Sequence, residues 1–280
     1  MKSEPEIVAG DGAALAIYRD GPSLEGARTA ALGGFTCDDA EAGSALIAEV
    51  MGRLLGEGFG AVLGPMDGST WAKYRLVVES DGSAPFLMEP SNPAWYPAAF
   101  EGAGMEIVSR YVSSSRPADI GGKEPVAPQG VRLRAFQSEK AVEALGAIHD
   151  LSLRTFANNA FYTPISREEF VGAYAPVIGM LDPELVLLAE DDGGRLAGFL
   201  FALPNFAEGE RPASVILKTY ASAMRGVGSF LADTFHERVR KKGFERVIHA
   251  LMHVDNVSAA HSGKTGGEVF RRYALWGARL

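Results

Sequence analysis

The chain has 280 residues, of which 47% are hydrophobic and 22% charged, as is typical of globular domains with sizeable apolar cores. A formal net charge of −8 and an isoelectric point near 5.2 argue against a surface for nucleic acid or membranes. The single cysteine, Cys37, excludes an intrachain disulfide and fits a small buried side chain better than a nucleophile. The acidic N-terminus leads into no signal-peptide-like segment. We therefore expect a cytoplasmic protein of two domains, with no nucleic-acid or membrane partner.

The first half of the chain predicts one long helix among several strands. A short segment over residues 13–19 and a central strand over residues 28–35 come first. Asp38 or Asp39 caps the helix, and Gly58 ends it. Its apolar face consists of Leu46, Ile47, Val50, Met51, Leu54 and Leu55. Strands over residues 61–63 and 105–112 follow.

A change in composition then divides the chain. From residue 113 to residue 130 the sequence is rich in Ser, Gly and Pro and has little periodicity, which is typical of a linker. We predict an N-terminal domain over residues 1–116, a linker over residues 117–130 and a C-terminal domain over residues 131–280.

The second half predicts a longer series of elements. In chain order these are a strand over residues 131–136, helices over residues 139–155 and 167–180, strands over residues 185–190, 196–203 and 215–220, a helix over residues 229–242, and strands over residues 246–252 and 268–275. Both halves contain a helix, a Gly-Phe pair, a strand, an asparagine, a glycine and a strand in the same order. This order predicts a structural repeat whose first copy is truncated.

The turn between the strand over residues 215–220 and the next helix has a composition suited to an anion. It reads Arg225-Gly226-Val227-Gly228-Ser229, so a helix would begin at a glycine-rich turn beside one cation. Free amides at a helix N-terminus hold phosphate groups, and glycines allow close approach of the ligand. The alternative is an ordinary connection between strand and helix.

This order of elements and this turn resemble the acyl-CoA site of the GNAT N-acyltransferase superfamily. The resemblance implies an α+β fold of two tandem GNAT-like units, each a mixed β-sheet flanked by helices. It implies acetyl-CoA or another acyl-CoA as co-substrate, held by Thr219, Tyr220, Arg225, Gly226, Val227, Gly228, Ser229 and Asn256. The family's final strand is missing from the second unit, and we expect a strand from the other unit to fill its place.

The segments 64–75, 89–96 and 270–275 also resemble signatures of the YghO-like bacterial proteins. This second resemblance covers most of the chain and implies membership of that group without naming a substrate. Among these residues Trp71, Lys73, Tyr74 and Arg75 could line a cleft between the two units for a carboxylate-bearing ligand. Alternatively, they pair and pack across the interface between the units.

Candidates for proton transfer are few. The central strand carries no carboxylate, and Gly263 occupies the position of the family's acidic tyrosine. His253 and Glu190 are candidate bases, and Ser262 could donate a hydrogen bond to the departing thiolate. Each can also be an ordinary surface or strand-end residue. His249 and His253 lie four apart on a strand without an accompanying carboxylate motif, so we expect no metal.

Aromatic side chains are the candidate residues for the acceptor. Phe156, Phe161 and Tyr162 lie on the connection that flanks the acceptor in GNAT folds, and we add Trp71 and Tyr74 to this set. We expect an N-acyltransferase that moves an acyl group, most simply acetyl, from acyl-CoA to the amine of a small molecule. The alternatives are a non-catalytic ligand sensor and an N-acyl amino acid synthase that takes its donor from an acyl-carrier protein.

Overall fold

The computed structural model describes residues 4–120 and 123–280. Residues 1–3 of the N-terminus and residues 121 and 122 of the predicted linker lie outside the described residues. The chain divides into two compact units. Unit 1 consists of Met1–Val112, Asn159–Thr163 and Arg271–Leu280, and unit 2 of Ser113–Asn158 and Pro164–Phe270.

The described residues form twelve strands and six α-helices. The strands are β1 (Glu6–Gly10), β2 (Ala13–Tyr18), β3 (Thr29–Cys37), β4 (Ala61–Gly64), β5 (Leu76–Ser80), β6 (Glu106–Pro117), β7 (Val131–Arg134), β8 (Val186–Asp191), β9 (Leu196–Pro204), β10 (Ser214–Ser222), β11 (Arg246–His253) and β12 (Glu268–Arg279). The helices are α1 (Ala40–Gly56), α2 (Tyr96–Gly102), α3 (Ala141–Thr155), α4 (Arg167–Tyr174), α5 (Val227–Lys241) and α6 (Val257–Lys264). None of the described helices has the length and apolar character that crossing a bilayer requires.

Unit 1 is a mixed sheet covered by α1 and α2. Strands β1, β2 and β3 pair antiparallel, and β4 pairs parallel to β3 after the crossover through α1. Strand β12 then pairs antiparallel with both β4 and β5. The core includes Phe35, Ile47, Phe100 and Trp276, and the last two rings stack with their centroids 5.6 Å apart.

Helix α1 begins and ends where the sequence predicts. Asp39 is its N-cap, and its carboxylate accepts the amide of Ala42 at 2.8 Å. Gly58 follows the helix with a φ of 79°, which glycine adopts without steric cost. Of the predicted apolar face, Leu46, Ile47, Val50 and Leu54 are buried, whereas Leu55 is 56% exposed. Placing Leu55 on the buried face was wrong, because α1 packs through a narrower stripe.

Strand β1 was not predicted. Its exposed edge carries Glu6, whose carboxylate accepts from Arg53 at 2.7 Å and lies 2.8 Å from Arg19. These contacts, first with Arg53 and then with Arg19, lower the pKa of Glu6 to about 2. The sequence of β1 is only weakly apolar, and the strand is bound to unit 1 by pairing with β2 and by the ion pairs of Glu6.

Unit 1 also contains a buried ion pair. The Arg271 guanidinium, 3% exposed as a side chain, donates to the Glu89 carboxylate at 2.9 Å, and the Glu89 side chain is fully buried. Arg271 also donates to the carbonyl of Ser83 at 2.7 Å, and the Tyr273 hydroxyl donates to Glu89. Burial is the main effect on Glu89 and raises its pKa above the ordinary value. The network joins β12 to the loop that follows β5.

Unit 2 repeats the pattern of unit 1 with extra elements at its start. Strands β7, β8, β9 and β10 pair antiparallel in that order, and β11 pairs parallel to β10 after the crossover through α5. This β8–β9–β10–α5–β11 series corresponds to β1–β2–β3–α1–β4 in unit 1. Within the described residues, unit 1 has no counterpart of β7, α3 and α4, so it is the shorter copy.

The bounds of the compact units differ from the predicted domains. Residues 113–117 include the end of the predicted N-terminal domain and the first residue of the predicted linker. They form the end of β6 and belong to unit 2, where β6 neighbours β11. They therefore occupy the place of the missing final strand. Ser113, Ser114 and Arg116 are at most 2% exposed, and the Ser113 hydroxyl accepts the amide of Leu251 at 3.1 Å. Arg271–Leu280, predicted to lie in the C-terminal domain, belongs to unit 1.

Candidate functional site

Strands β10 and β11 separate part of the way along their length. Their backbones pair from Ser214 opposite Arg246 to Leu217 opposite His249. Beyond this point β10 continues to Ser222 and β11 to His253, with no pairing between them in the described residues. A bulge in β10 at Lys218 and a φ of 56° at Leu251 mark the divergence. Among the described residues, the two backbones no longer bond to each other beyond this point.

The predicted phosphate turn leads into α5 at the same end of β10. Gly226 is the N-cap residue, with a φ of 84° and no side-chain capping bond. The amide of Val227 donates to the carbonyl of Met224 at 3.3 Å. Within the described part of the chain, the amides of Gly228 and Ser229 donate to no protein acceptor. Arg225 and Gly226 are solvent-exposed, so the start of α5 presents amides and one cation to solvent.

Close packing holds the start of α5 against the sheet. A Cβ atom added at Gly198 of β9 would lie 2.6 Å from Cγ1 of Val227 and 3.0 Å from Cδ1 of Leu231. Val227 and Leu231 are completely buried. The absence of a side chain at Gly198 therefore lets α5 approach β9 and fixes the position of the turn.

Two further predicted cofactor residues lie on β10 beyond the point of divergence. Thr219 and Tyr220 are both partly buried, and burial raises the pKa of Tyr220 above its ordinary value. A Cβ added at Gly228 would lie 3.9 Å from the Tyr220 ring and 3.2 Å from Oγ of Ser222. The Tyr220 ring and the Ser222 hydroxyl thus flank the first turn of α5. Ser222 was not predicted.

Asn256 lies immediately before α6. Its carbonyl accepts the amides of Ala259 at 3.0 Å and Ala260 at 3.4 Å, and its own amide donates to the carbonyl of His253 at 3.0 Å. The side chain is exposed. Asn256 therefore occupies the helix-capping position, the alternative that the sequence left open, and its role toward a pantetheine arm stays a prediction.

The three candidate catalytic residues lie on three different elements, β11, β8 and α6. His253 lies at the end of β11, where its Nδ1 accepts the amide of Asp255 at 3.2 Å. Glu190 lies on β8, two strands from β10, which corresponds to roughly 10 Å between backbones. Its carboxylate is 2.8 Å from Nε of Arg134 and 3.5 Å from Arg132. These contacts give Glu190 a structural role that the sequence did not reveal.

Ser262 is buried and forms part of a hydrogen-bonded chain. Its hydroxyl lies 2.6 Å from Nδ1 of His249 and 2.6 Å from the hydroxyl of Ser114. The side chain is 2% exposed, and a Cβ added at Gly267 would lie 2.2 Å from Oγ of Ser262. Ser262 thus ties α6 to β11 and β6 inside unit 2. Its role as a proton donor remains a prediction.

Four of the five aromatic residues predicted for the acceptor lie in unit 1. Trp71 donates from Nε1 to the carbonyl of Thr163 at 2.9 Å, and its ring centroid is 5.9 Å from that of Tyr162. Phe161, with a φ of 59°, belongs to the same Asn159–Thr163 segment. Phe156 instead follows α3 in unit 2, where its amide donates to the carbonyl of Ser152 at 2.9 Å.

Tyr74 takes part in a stack that was not predicted. The Arg75 guanidinium lies 3.9 Å from the Tyr74 ring centroid and 4.3 Å from that of Tyr111. The two tyrosine rings are 5.6 Å apart, and burial is the main effect that raises the pKa of Tyr111 to about 12. Trp71, Tyr74 and Arg75 therefore pack against residues of unit 1, and their role in a ligand cleft stays a prediction.

The described residues contain no cluster of three or more His, Cys, Asp or Glu side chains that could hold a metal ion. Cys37, the lone cysteine, is buried in the core of unit 1, and burial raises the pKa of its thiol. The features that remain as a candidate site are the diverging ends of β10 and β11 and the open start of α5.

The fold is that of the GCN5-related N-acetyltransferases, and the prediction of an α+β protein with tandem GNAT-like units is confirmed. The chain is similar to a GCN5-related N-acetyltransferase from Sphaerobacter thermophilus, with a TM-score of 0.56, 14% identity, and coverage of 96% of this chain and 76% of that one. A tandem GNAT protein from the clavulanic acid biosynthesis pathway, solved without AcCoA, gives a TM-score of 0.54 at 17% identity, covering 96% and 79%.

A third structure, the GCN5-related N-acetyltransferase from Anabaena variabilis, has a TM-score of 0.56 and 12% identity over 94% of this chain and 58% of that one. No family model and no curated protein matches the sequence. At these identities the similarity establishes the fold.

Proposed function

We propose that the chain is an N-acyltransferase that moves an acyl group, most simply acetyl, from acyl-CoA to the amine of a small molecule. The observation that carries this proposal is the open start of α5, where the amides of Gly228 and Ser229 donate to no acceptor in the described residues. Arg225 adds a positive charge beside them. Such a site suits the pyrophosphate of CoA in a chain whose net charge is −8.

The diverging strands supply the second part of the argument. A pantetheine arm extended from the start of α5 needs backbone donors and acceptors along its length, and we propose that it lies between the diverging ends of β10 and β11, which no longer bond to each other in the described part of the chain. In the proposed reaction, the acceptor amine attacks the thioester carbonyl. The carbon–nitrogen bond forms, the carbon–sulfur bond breaks, and the amine proton is transferred to the departing CoA thiolate. Positioning and polarisation of the carbonyl would supply most of the rate.

One set of observations favours a non-catalytic ligand sensor as the second candidate. The carboxylate of Glu190 is held by two arginines, and Ser262 is buried with its hydroxyl bonded to two partners. A protein that keeps the acyl-CoA site but has no committed acid or base would bind the donor without transferring its acyl group. Donor binding and transfer must therefore be measured separately.

Calorimetric titration of the purified chain with acetyl-CoA and with longer acyl-CoAs tests donor binding. We expect saturable binding that weakens with salt, because a phosphate ligand meets a charged site. Gly228→Ala adds a Cβ at the start of α5, 3.2 Å from Oγ of Ser222, and should weaken binding about tenfold without unfolding the protein. Gly172→Ala is the matched control, because it introduces the same change in α4 with open space around the new atom.

Release of the CoA thiol in the presence of a panel of amines then tests transfer. Donor binding together with amine-dependent thiol release supports the acyltransferase. Binding without release for any amine favours the sensor. If a folded sample binds no acyl-CoA, and phosphopantetheine on an acyl-carrier protein does not bind either, the proposal is wrong.

A further inference from the structure

Unit 2 contains an open cavity that the proposed acyl-donor site does not use. It has a volume of about 270 Å³ and lies between the start of α3 and strands β7 and β8. It is lined by Leu188, Ala135 and Ala144 and by the polar side chains of Arg134, Gln137, Lys140 and Glu143. A cavity of this size is slightly smaller than those that take drug-sized ligands and suits a small metabolite.

The cavity is separate from the start of α5. Strands β7 and β8 are at the far end of the unit 2 order from β11, and β9 lies between β8 and β10. Leu188 also faces the opposite side of the sheet, because its neighbours Leu187 and Ala189 pack into the core that contains α5 residues. A ligand in this cavity would therefore leave the acyl-donor site free.

The charged groups of the cavity are not neutralised by one another. Arg134, Lys140 and Glu143 all line it, yet no ion pair joins Glu143 to either cation among the described residues. Lys140 likewise has no carboxylate within ion-pair distance in the described part of the chain. Opposite charges that share a cavity without pairing are available to a ligand that carries both signs.

Arg134 is held in place from the side by Glu190. Its Nε lies 2.8 Å from the Glu190 carboxylate, which also pairs with Arg132 at 3.5 Å. Among the side chains that line the cavity, Arg134 and Lys140 against Glu143 leave one net positive charge. The best match is a ligand with one net negative charge and an ammonium group for Glu143.

We propose that this cavity binds a free acidic amino acid, whose two carboxylates meet Arg134 and Lys140 and whose ammonium group meets Glu143. Gln137 supplies a neutral hydrogen-bonding partner at the rim. Because the cavity and the start of α5 are separate, the inference does not depend on the acyltransferase proposal. It gives the chain a second ligand, bound without acyl-CoA.

Calorimetric titration of the full chain with L-glutamate and L-aspartate, in the absence of acyl-CoA, tests the proposal. For a ligand of roughly ten non-hydrogen atoms we expect saturable binding in the micromolar to millimolar range. L-glutamine, which lacks one carboxylate, and glutarate, which lacks the ammonium group, should each bind at least about tenfold more weakly. L-lysine should not bind.

Matched variants assign the binding to this cavity. Lys140→Gln and Glu143→Gln should each weaken L-glutamate binding at least about tenfold, and both side chains are exposed, so the fold should persist. Glu139→Gln is the control for the second variant, since Glu139 does not line the cavity. Arg134→Gln should weaken binding in the same way, because Arg134 lines the cavity. Arg132→Gln is its control, because Arg132 pairs with the same Glu190 carboxylate but does not line the cavity.

The pattern of the results decides the outcome. Loss of binding in the three lining variants, with both controls like the wild type, supports the proposal. Absence of saturable binding for both acidic amino acids overturns it. Binding that survives the lining variants overturns it too, because the ligand would then be bound elsewhere, and a glutarate affinity equal to that of L-glutamate would remove the role given to Glu143.

Discussion

Replacing Gly198 by alanine should destabilise unit 2, because the new Cβ atom would clash with two side-chain atoms of α5. The new Cβ would lie 2.6 Å from Cγ1 of Val227 and 3.0 Å from Cδ1 of Leu231. Ordinary contacts between carbon atoms are about 3.5 to 4.0 Å, so the start of α5 or strand β9 must move by about 1 Å. The backbone at Gly198 has no left-handed φ, so strain from φ does not contribute.

The expected loss is about 1 to 3 kcal/mol of the free energy of unfolding, as for other insertions into a packed core. Val227→Ala alone should cost about 2 kcal/mol, because a completely buried side chain is truncated. In the double variant the alanine at position 227 no longer presents Cγ1 to the new Cβ. The double variant should therefore lose less than the sum of the two single changes, by about 1 kcal/mol or more.

Urea denaturation followed by circular dichroism measures these free energies. Gly52→Ala is the control, because Gly52 lies in α1 with open space around its Cβ position, and this change should stabilise the protein by roughly 0.5 to 1 kcal/mol. Additive effects of the changes at positions 198 and 227, or a Gly198→Ala variant as stable as the wild type, would refute the account of how α5 is positioned.

Three further predictions concern unit 1. Arg271→Met should cost about 3 to 5 kcal/mol in urea denaturation, because it leaves a buried carboxylate without its cation, whereas Arg272→Met, which breaks an exposed pair, should cost at most about 1 kcal/mol. The folded pKa of Glu6 is lowered from 4.5 to about 2, so its contribution is present above 4.5 and is lost as the pH falls toward 2. Wild type should thus be more stable than Glu6→Gln near neutral pH, and their urea midpoints should converge in acid; a constant difference would contradict this. The Cys37 thiol should react with a disulfide reagent only after unfolding, since it is buried and its pKa is raised, and rapid reaction of the native protein would show otherwise.

The sequence was most informative where local rules act. The cap at Asp39, the stop at Gly58 and the apolar stripe of Leu46, Ile47 and Val50 define α1 from its own residues. The two strand–helix–strand crossovers, one in each unit, could likewise be predicted from apolar runs and glycine stops. These features depend on contacts between residues close in the chain.

The features that sequence reasoning missed depend on distant partners. Residues 113–117 look like a linker, but Ser113 and Ser114 are buried, and the Ser113 hydroxyl accepts a backbone amide from β11. The Arg75 stack needs Tyr111 from a distant strand, and the close approach at Gly198 needs Val227 of α5. The candidate site was predicted at the turn itself, while Ser222 beside it and the commitment of Ser262 to His249 were not. The sequence spacing of these residues does not predict that they contact each other in the fold.

The placement of the last strand bears on how the protein folds during synthesis. Residues 271–280 belong to unit 1 and include Trp276 of its core, yet a ribosome makes them only after the whole of unit 2. Until then β4 and β5 lack the strand that pairs with both of them, and their open edges can attract other chains. We therefore expect unit 1 to complete its fold only after residues 271–280 have been translated, and to be prone to aggregation until then.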